Sequence, residues 1–231
     1  MRLDGQVALI TGAAGNLGRA VGHAFASAGT KLVLLDIDTK RLAPDDGPDR
    51  LSVAANLGEA QSVAAAVAAG MARFGRIDIL CNLAGGFRMG HPVHETPDDV
   101  WRLMMDLNAG SIIRTGAAVV PHMLAAGHGK IVNVAAMGGL HGGASMGAYA
   151  ASKSAVMRLT ESMALELRDK GINVNCVLPS TIDTPPNRAS MPKADPGKWV
   201  APEALADVIL FLASPMARAM HGASVPVVGL V

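Results

Sequence analysis

Tyrosine occurs once among the 231 residues, at position 149, so one phenol is available to any chemistry that needs one. Cysteine occurs twice, and Cys81 and Cys176 both fall in apolar, strand-like runs. That pattern excludes a disulfide framework and predicts two buried free thiols. No unbroken apolar run approaches the roughly 18 residues that a membrane span requires. Lysine and arginine total 20 against 19 aspartates and glutamates, and they are scattered singly, which leaves no basic face for nucleic acid and no polybasic patch for a membrane. The seven histidines show no zinc spacing, and His91 with His94 reads as a solvated loop, so no metal is expected. Met1-Arg2-Leu3-Asp4-Gly5-Gln6 runs directly into a short apolar strand, without the long apolar segment and small-residue cleavage site of a secretory signal. The expectation is a soluble cytoplasmic protein.

Half of the residues are hydrophobic, enough for a sizeable core. Short runs of Val, Ile and Leu alternate with longer amphipathic stretches, which predicts repeated strand-helix units and a parallel sheet. Strands are expected at about 6–11, 31–36, 50–54, 77–82, 130–135, 172–178 and 224–228. Helices are expected at 17–27, 59–74, 98–125, 149–168 and 202–212. Pro44-Asp45-Asp46-Gly47-Pro48 reads as a turn, so the second connection is expected to be short. No composition break divides the chain. The fold class that fits is α/β, one doubly wound Rossmann-type domain over 1–231 with a seven-stranded parallel sheet and helices on both faces.

Thr11-Gly12-Ala13-Ala14-Gly15-Asn16-Leu17-Gly18 follows the first expected strand and opens into a helix. Glycines let the backbone turn sharply and approach a pyrophosphate, whose charge the N–H groups at the helix start stabilise. The second strand ends on Asp36, eighteen residues past Gly18. A carboxylate there accepts bonds from both ribose hydroxyls and repels a 2'-phosphate. No basic residue lies within the turn or directly after Asp36, so NAD, as NADH, is favoured over NADPH. Tyr149 and Lys153 are four residues apart, one helical turn on one face. A lysine cation beside a phenol is expected to lower its pKa from about 10 toward the working range of an acid/base.

Together these segments, with Asn82-Leu83-Ala84-Gly85, Asn108 and 179–184, resemble the short-chain dehydrogenase/reductase family over essentially the whole chain. The resemblance implies that Gly12, Gly15, Asn16, Leu17 and Gly18 form the cofactor turn. Asn16 stands where the family has its middle glycine, and asparagine tolerates a left-handed backbone there. It also implies an adenine contact from Asn56, and places Asn82, Ala84 and Gly85 beside the cofactor ribose. Pro179, Ile182 and Thr184 fall at the nicotinamide end. Asn108 falls where a helix-kinking asparagine holds a water leading from the lysine to solvent. Tyr149 becomes the proton donor or acceptor, and Lys153 binds the nicotinamide ribose and lowers the phenol's pKa. The 179–201 segment, rich in proline, implies a short and partly preformed cover over the substrate.

One position departs from the family. Thirteen residues before Tyr149, where the family has a serine that bonds the substrate oxygen, the chain has Ala136. Losing such a donor costs about 10² to 10³ in rate. Ser145, His141 or water are the candidate substitutes. A narrower resemblance, over Ile79 to Phe87 and 178–192, is to the dihydropteridine reductases, which also keep the Tyr and Lys without the serine. It implies a quinonoid acceptor stacked on Phe87. The expected function is hydride transfer between NAD(H) and a small carbonyl or alcohol. A quinonoid substrate and a catalytically silent NAD-binding protein are the alternatives. Wide apolar stripes on 98–125 and 149–168, including Met104, Ile112, Ile113, Val156, Met157, Met163 and Leu167, suggest a homodimer or homotetramer, which the family resemblance also implies.

Overall fold

Parallel strands covered on both faces need nearly continuous apolar runs, and the central strands of this chain have them. The computed structural model describes residues 1–42 and 47–231. Seven strands, β1 (Val7–Thr11), β2 (Lys31–Asp36), β3 (Arg50–Ala54), β4 (Ile79–Asn82), β5 (Gly129–Val134), β6 (Ile172–Pro179) and β7 (Ser224–Val227), form one sheet. All neighbours are parallel, in the order β3-β2-β1-β4-β5-β6-β7. Each begins and ends within two residues of its expected bounds. Every residue of β1, β4 and β6 is buried, whereas the edge strand β3 is part-exposed.

On one face α1 (Asn16–Ser27) and a helix at Pro202–Leu212 set Val21, Phe25, Leu205 and Ile209 against Ile10, Leu34 and Ile79. Burying Phe25 completely stabilises the fold by about 2–3 kcal/mol. On the opposite face lie α2 (Ala60–Phe74), α3 (Asp98–Met105), α4 (Ser111–Ala126) and α5 (Gly147–Leu167). There Val63, Val67, Val119, Met123 and Ala164 pack on Leu9, Val33, Leu80, Ile131 and Val174. Most of the apolar stripe read as a subunit contact belongs to the subunit's own core: Met104, Ile112, Val156, Met157 and Leu167 are buried, and Ile113 is 57% exposed.

Two elements differ from the sequence reading. The expected helix 98–125 is divided between α3 and α4 by a π turn, Asp106–Gly110, which carries Asn108. The 179–201 cover contains a short helix, α6 (Pro185–Ser190), before α7 (Pro202–Leu212). Thr184 caps α6 by accepting from Asn187 N, with proline at the first turn, the combination that starts a helix. The β2–β3 connection shows a 3-10 turn at Thr39–Arg41, and the expected turn 44–48 lies partly outside the described residues. Beside that connection a groove of about 810 Å³ runs along α1 from Gly18 to Ala26, remote from Tyr149.

Polar side chains inside the sheet are joined to one another. Thr115 Oγ1 donates to Asn82 Oδ1 (2.8 Å), Asn82 Nδ2 to Asn133 Oδ1 (2.9 Å), and Asn133 Nδ2 to Thr160 Oγ1 (2.9 Å). This chain ties α4 to β4, β5 and α5 under the C-terminal end of the sheet. Asn133→Ala takes the acceptor from Asn82 Nδ2 and a donor from Thr160 Oγ1, which keeps its bond to Val156 O, and the expected loss is about 1–3 kcal/mol. Urea unfolding tests this: the midpoint falls while the slope is unchanged.

Candidate active site

The C-terminal ends of β1, β2, β4, β5 and β6 bring the motifs of the sequence to one edge of the sheet. Sheet order reverses between β1 and β4, and ligands of open α/β sheets bind at such a switch point. Thr11 Oγ1, at the end of β1, accepts from the N–H groups of Leu83 (3.1 Å) and Ala84 (3.2 Å), pinning the β4 loop to the glycine turn. Gly12 has φ +65°, and a Cβ there would lie 2.9 Å from Ala84 Cα. Gly18 packs on the turn so closely that a Cβ would meet Gly12 O at 2.2 Å. Gly15 precedes α1, whose first turn has no side-chain cap and no acidic residue. Its first N–H groups, those of Asn16, Leu17 and Gly18, therefore have no helical partner and face outward as anion donors. That vacancy fits a pyrophosphate.

The turn survives at Asn16 for a reason other than the one expected. Asn16 is the first helical residue of α1, and among the described residues only Ser145 is a non-glycine with positive φ, so no left-handed asparagine is involved. Its Oδ1 accepts from Arg19 Nη2 (2.8 Å), while Arg19 Nη1 donates to Ala14 O (2.8 Å). Asp36, at the end of β2, accepts from Ala14 N (2.9 Å) and so holds the same residue by its N–H. Ile37 follows with 75% exposure, an apolar surface beside that carboxylate which sequence reasoning missed. Asn56 is exposed; its Nδ2 donates to Glu59 Oε1 (2.7 Å) and its Oδ1 accepts from Gly58 N (3.0 Å). Asn82 is 4% exposed and its side chain is spent on the buried chain described above, so it contributes backbone rather than amide to the cleft.

The second half of the site is built on α5 and the π turn. Lys153 is 6% exposed and donates from Nζ to Val134 O (2.8 Å). Gly85 passes so close that a Cβ would lie 2.8 Å from Asn108 Oδ1 and 3.2 Å from Lys153 Nζ. Asn108 accepts from Gly86 N (2.9 Å) and donates to Gly86 O (3.1 Å) and Ser152 Oγ (2.9 Å). Ser152 in turn donates to Tyr149 O (2.7 Å). Ser152, Asn133, Thr115 and Thr160 were missed from sequence. Their signal was polarity inside otherwise apolar elements. Phe87 lies edge-on to the Tyr149 ring, with centroids 4.8 Å apart and planes at 82°.

The electrostatics correct one expectation. Burial raises the Tyr149 phenol above its ordinary value, and no lowering by Lys153 accompanies it. The ammonium is engaged with Val134 O and is itself pushed down to about 8, chiefly by burial, with the nearby Cys176 opposing. Burial thus outweighs the lysine in setting the phenol's acidity. Ala136 is 6% exposed and opens the turn after β5. Ser145 sits at φ 59° and its carbonyl accepts from Gly90 N, while His141 is exposed. Beyond β6, which Pro179 closes, Ile182 pairs with Val200, and Ile182 O accepts from Asn187 Nδ2 (2.8 Å).

A doubly wound sheet with a glycine turn, a strand-end acid and a Tyr-Lys pair at one edge defines a nucleotide-binding oxidoreductase. The short chain dehydrogenase family profile matches residues 6–195. The chain is 35% identical to cis-4-hydroxycyclohexanecarboxylate dehydrogenase of Sinomonas cyclohexanicum, covering 97% of this chain and 95% of that one. It is 34% identical to a 3-oxoacyl-(acyl-carrier-protein) reductase of Thermotoga maritima, covering 93% and 92%. The crystal structure of gox2181 superposes with a TM-score of 0.92 at 33% identity, covering 99% of this chain and 96% of that one. The chain belongs to the short-chain dehydrogenase family. Among the described residues no helix is long and apolar enough to cross a membrane.

Lys153 gives the cofactor-free protein a defined pH dependence. Its folded value of about 8 lies below the ordinary 10.5, so between these limits the unfolded chain binds more protons. The contribution of this group to stability therefore rises with pH across that window and is flat below it. Unfolding free energies of wild type and Lys153→Met, measured against pH, test the sign: their difference moves in favour of wild type from pH 8 upward.

Proposed function

We propose that the protein is an NAD(H)-dependent dehydrogenase/reductase that moves a hydride between nicotinamide and a small carbonyl or alcohol, with Tyr149 as acid/base. The observation that carries this reading is the convergence at one sheet edge of the uncapped α1 start and Asp36 with Tyr149, Lys153 and Asn108. Gly12, Gly15, Asn16, Leu17 and Gly18 cradle the pyrophosphate. Asp36 takes the adenosine ribose, and Asn56 with exposed Ile37 borders the base. Asn82, Ala84 and Gly85 line the path to Lys153, and Pro179, Ile182 and Thr184 receive the nicotinamide end.

Bound NADH supplies the hydride. In reduction the Tyr149 hydroxyl donates its proton to the substrate oxygen. A phenol held above its ordinary value by burial stays protonated at neutral pH, which supports reduction there and moves oxidation to alkaline conditions. Lys153 holds the ribose with its ammonium, and Asn108 fixes the loop around it. Ala136 leaves the substrate oxygen with Tyr149 as its side-chain donor, and neither Ser145 nor His141 has a structural contact that assigns it the missing role. The relatives act, by their names, on hydroxycyclohexanecarboxylate and oxoacyl substrates, which supports a carbonyl or alcohol here. A planar quinonoid acceptor is a second reading, favoured by Phe87, which is 46% exposed beside Tyr149. Assembly as a homodimer or homotetramer is part of the proposal, supported by exposed Trp101, Leu103, Ile113 and Leu165 on α3 to α5. Sedimentation as a monomer would remove that part.

Calorimetry tests the cofactor: NADH binds at least about tenfold more tightly than NADPH, and Asp36→Ala narrows the gap, whereas equal affinities defeat the assignment. Kinetics test the acid. Tyr149→Phe abolishes turnover of ketones and quinonoid rings alike, and Ala136→Ser raises ketone reduction by about 10². Full activity in Tyr149→Phe would sink the mechanism.

A further inference from the structure

We propose that Phe87 is a positioning residue for Tyr149: its ring, anchored through Asn108, holds the phenol in place where Ala136 offers no hydroxyl to do so. This rests on the reading of Tyr149 as acid/base, and on a closed circuit of contacts. Gly86, directly before Phe87, is gripped on both its N–H and its carbonyl by the Asn108 amide. A Cβ on Gly86 would lie 2.8 Å from Leu107 Cδ2, so the loop is pressed on the π turn. The remaining Asn108 donor goes to Ser152, and Ser152 donates to Tyr149 O. One amide therefore registers both the loop that carries Phe87 and the helix turn that carries Tyr149. The two rings close the circuit at 4.8 Å.

The contact is not core packing in disguise. Phe87 is 46% exposed and lies outside the clusters that hold the sheet and helices together. An edge-on aromatic pair is directional, so it limits the tilt of the phenol as well as shielding it from water. Ala136 carries no hydroxyl, and the β4 loop restrains the phenol ring through Phe87. The same shielding agrees with the raised pKa of a partly buried phenol.

Because Tyr149 is the only tyrosine, its ionisation can be followed in the cofactor-free protein without interference from another phenol. Tyrosinate absorbance against pH in wild type, Phe87→Ala and Phe87→Trp is the test, read where circular dichroism shows the fold intact. Phe87→Ala is expected to lower the midpoint by about 1 unit, and Phe87→Trp to restore it. At neutral pH the labelled Tyr149 ring signals should change from one ordered set to motionally averaged ones in Phe87→Ala, with thermal stability preserved. In turnover kcat falls about tenfold with KM little changed. An unchanged ring signal and midpoint in Phe87→Ala overturns the positioning role. Absence of turnover in wild type instead defeats the dehydrogenase reading, and leaves the ring measurements to decide Phe87 by themselves.

Discussion

Backbone touches backbone where the sheet changes direction, and the site depends on that approach. The chain leaves β1 toward β2 and returns through β4 on the other side, so the two strand ends diverge at the place where their loops must meet. Gly12, in a left-handed conformation, lies against Ala84 with no room for a Cβ, and Thr11 bonds both N–H groups of the neighbouring loop. Pressing the loops together leaves the start of α1 uncapped at the mouth of the crevice. It also carries Gly85 and Gly86 past Lys153 and Asn108. A larger residue at Gly12 would push the glycine turn away from the β4 loop.

Buried polarity performs a second task under that edge. Parallel strands satisfy their own backbone groups, so a side-chain amide inside them has to find a side-chain partner or destabilise the core. Asn82 and Asn133 find one another across β4 and β5, and Thr115 and Thr160 extend the chain to the helices on that face. Asn108 works in the same manner one layer higher. The π turn displaces it out of regular helical register, and each hydrogen of its amide reaches a partner on a different element. These bonds are individually modest. Their value is geometric, since they align three elements that apolar packing alone would allow to slide.

The seven strands were legible because each is a short apolar run bounded by turn residues, whereas their order in the sheet came from the structure. That Asp36 ends a strand and that Tyr149 and Lys153 share one helix was legible from residue spacing. Other features were not. The division of α3 from α4 is invisible to periodicity, since one extra residue in a turn leaves the apolar stripe nearly intact, and only the resemblance at Asn108 pointed to a kink there. Ser152 and Asn133 look like incidental polar residues until their partners, 44 and 51 positions away, are brought alongside. The reading of Asn16 failed because the chain enters α1 at that residue, which makes its backbone helical. Most of the stripe assigned to a subunit contact proved to be core, because hydrophobic spacing shows that a face is covered without showing what covers it.

Residue types and their intervals determined the fold class, the strand-end acid and the tyrosine-lysine pair, since each rests on local backbone preference or on intrinsic side-chain chemistry. Tertiary structure decided which groups touch and how much water reaches them. It placed Phe87 on the phenol, gave the lysine a carbonyl partner, and set the balance between burial and charge that governs Tyr149. Solvation and distance are properties of the assembled crevice, and no interval along the chain encodes either one.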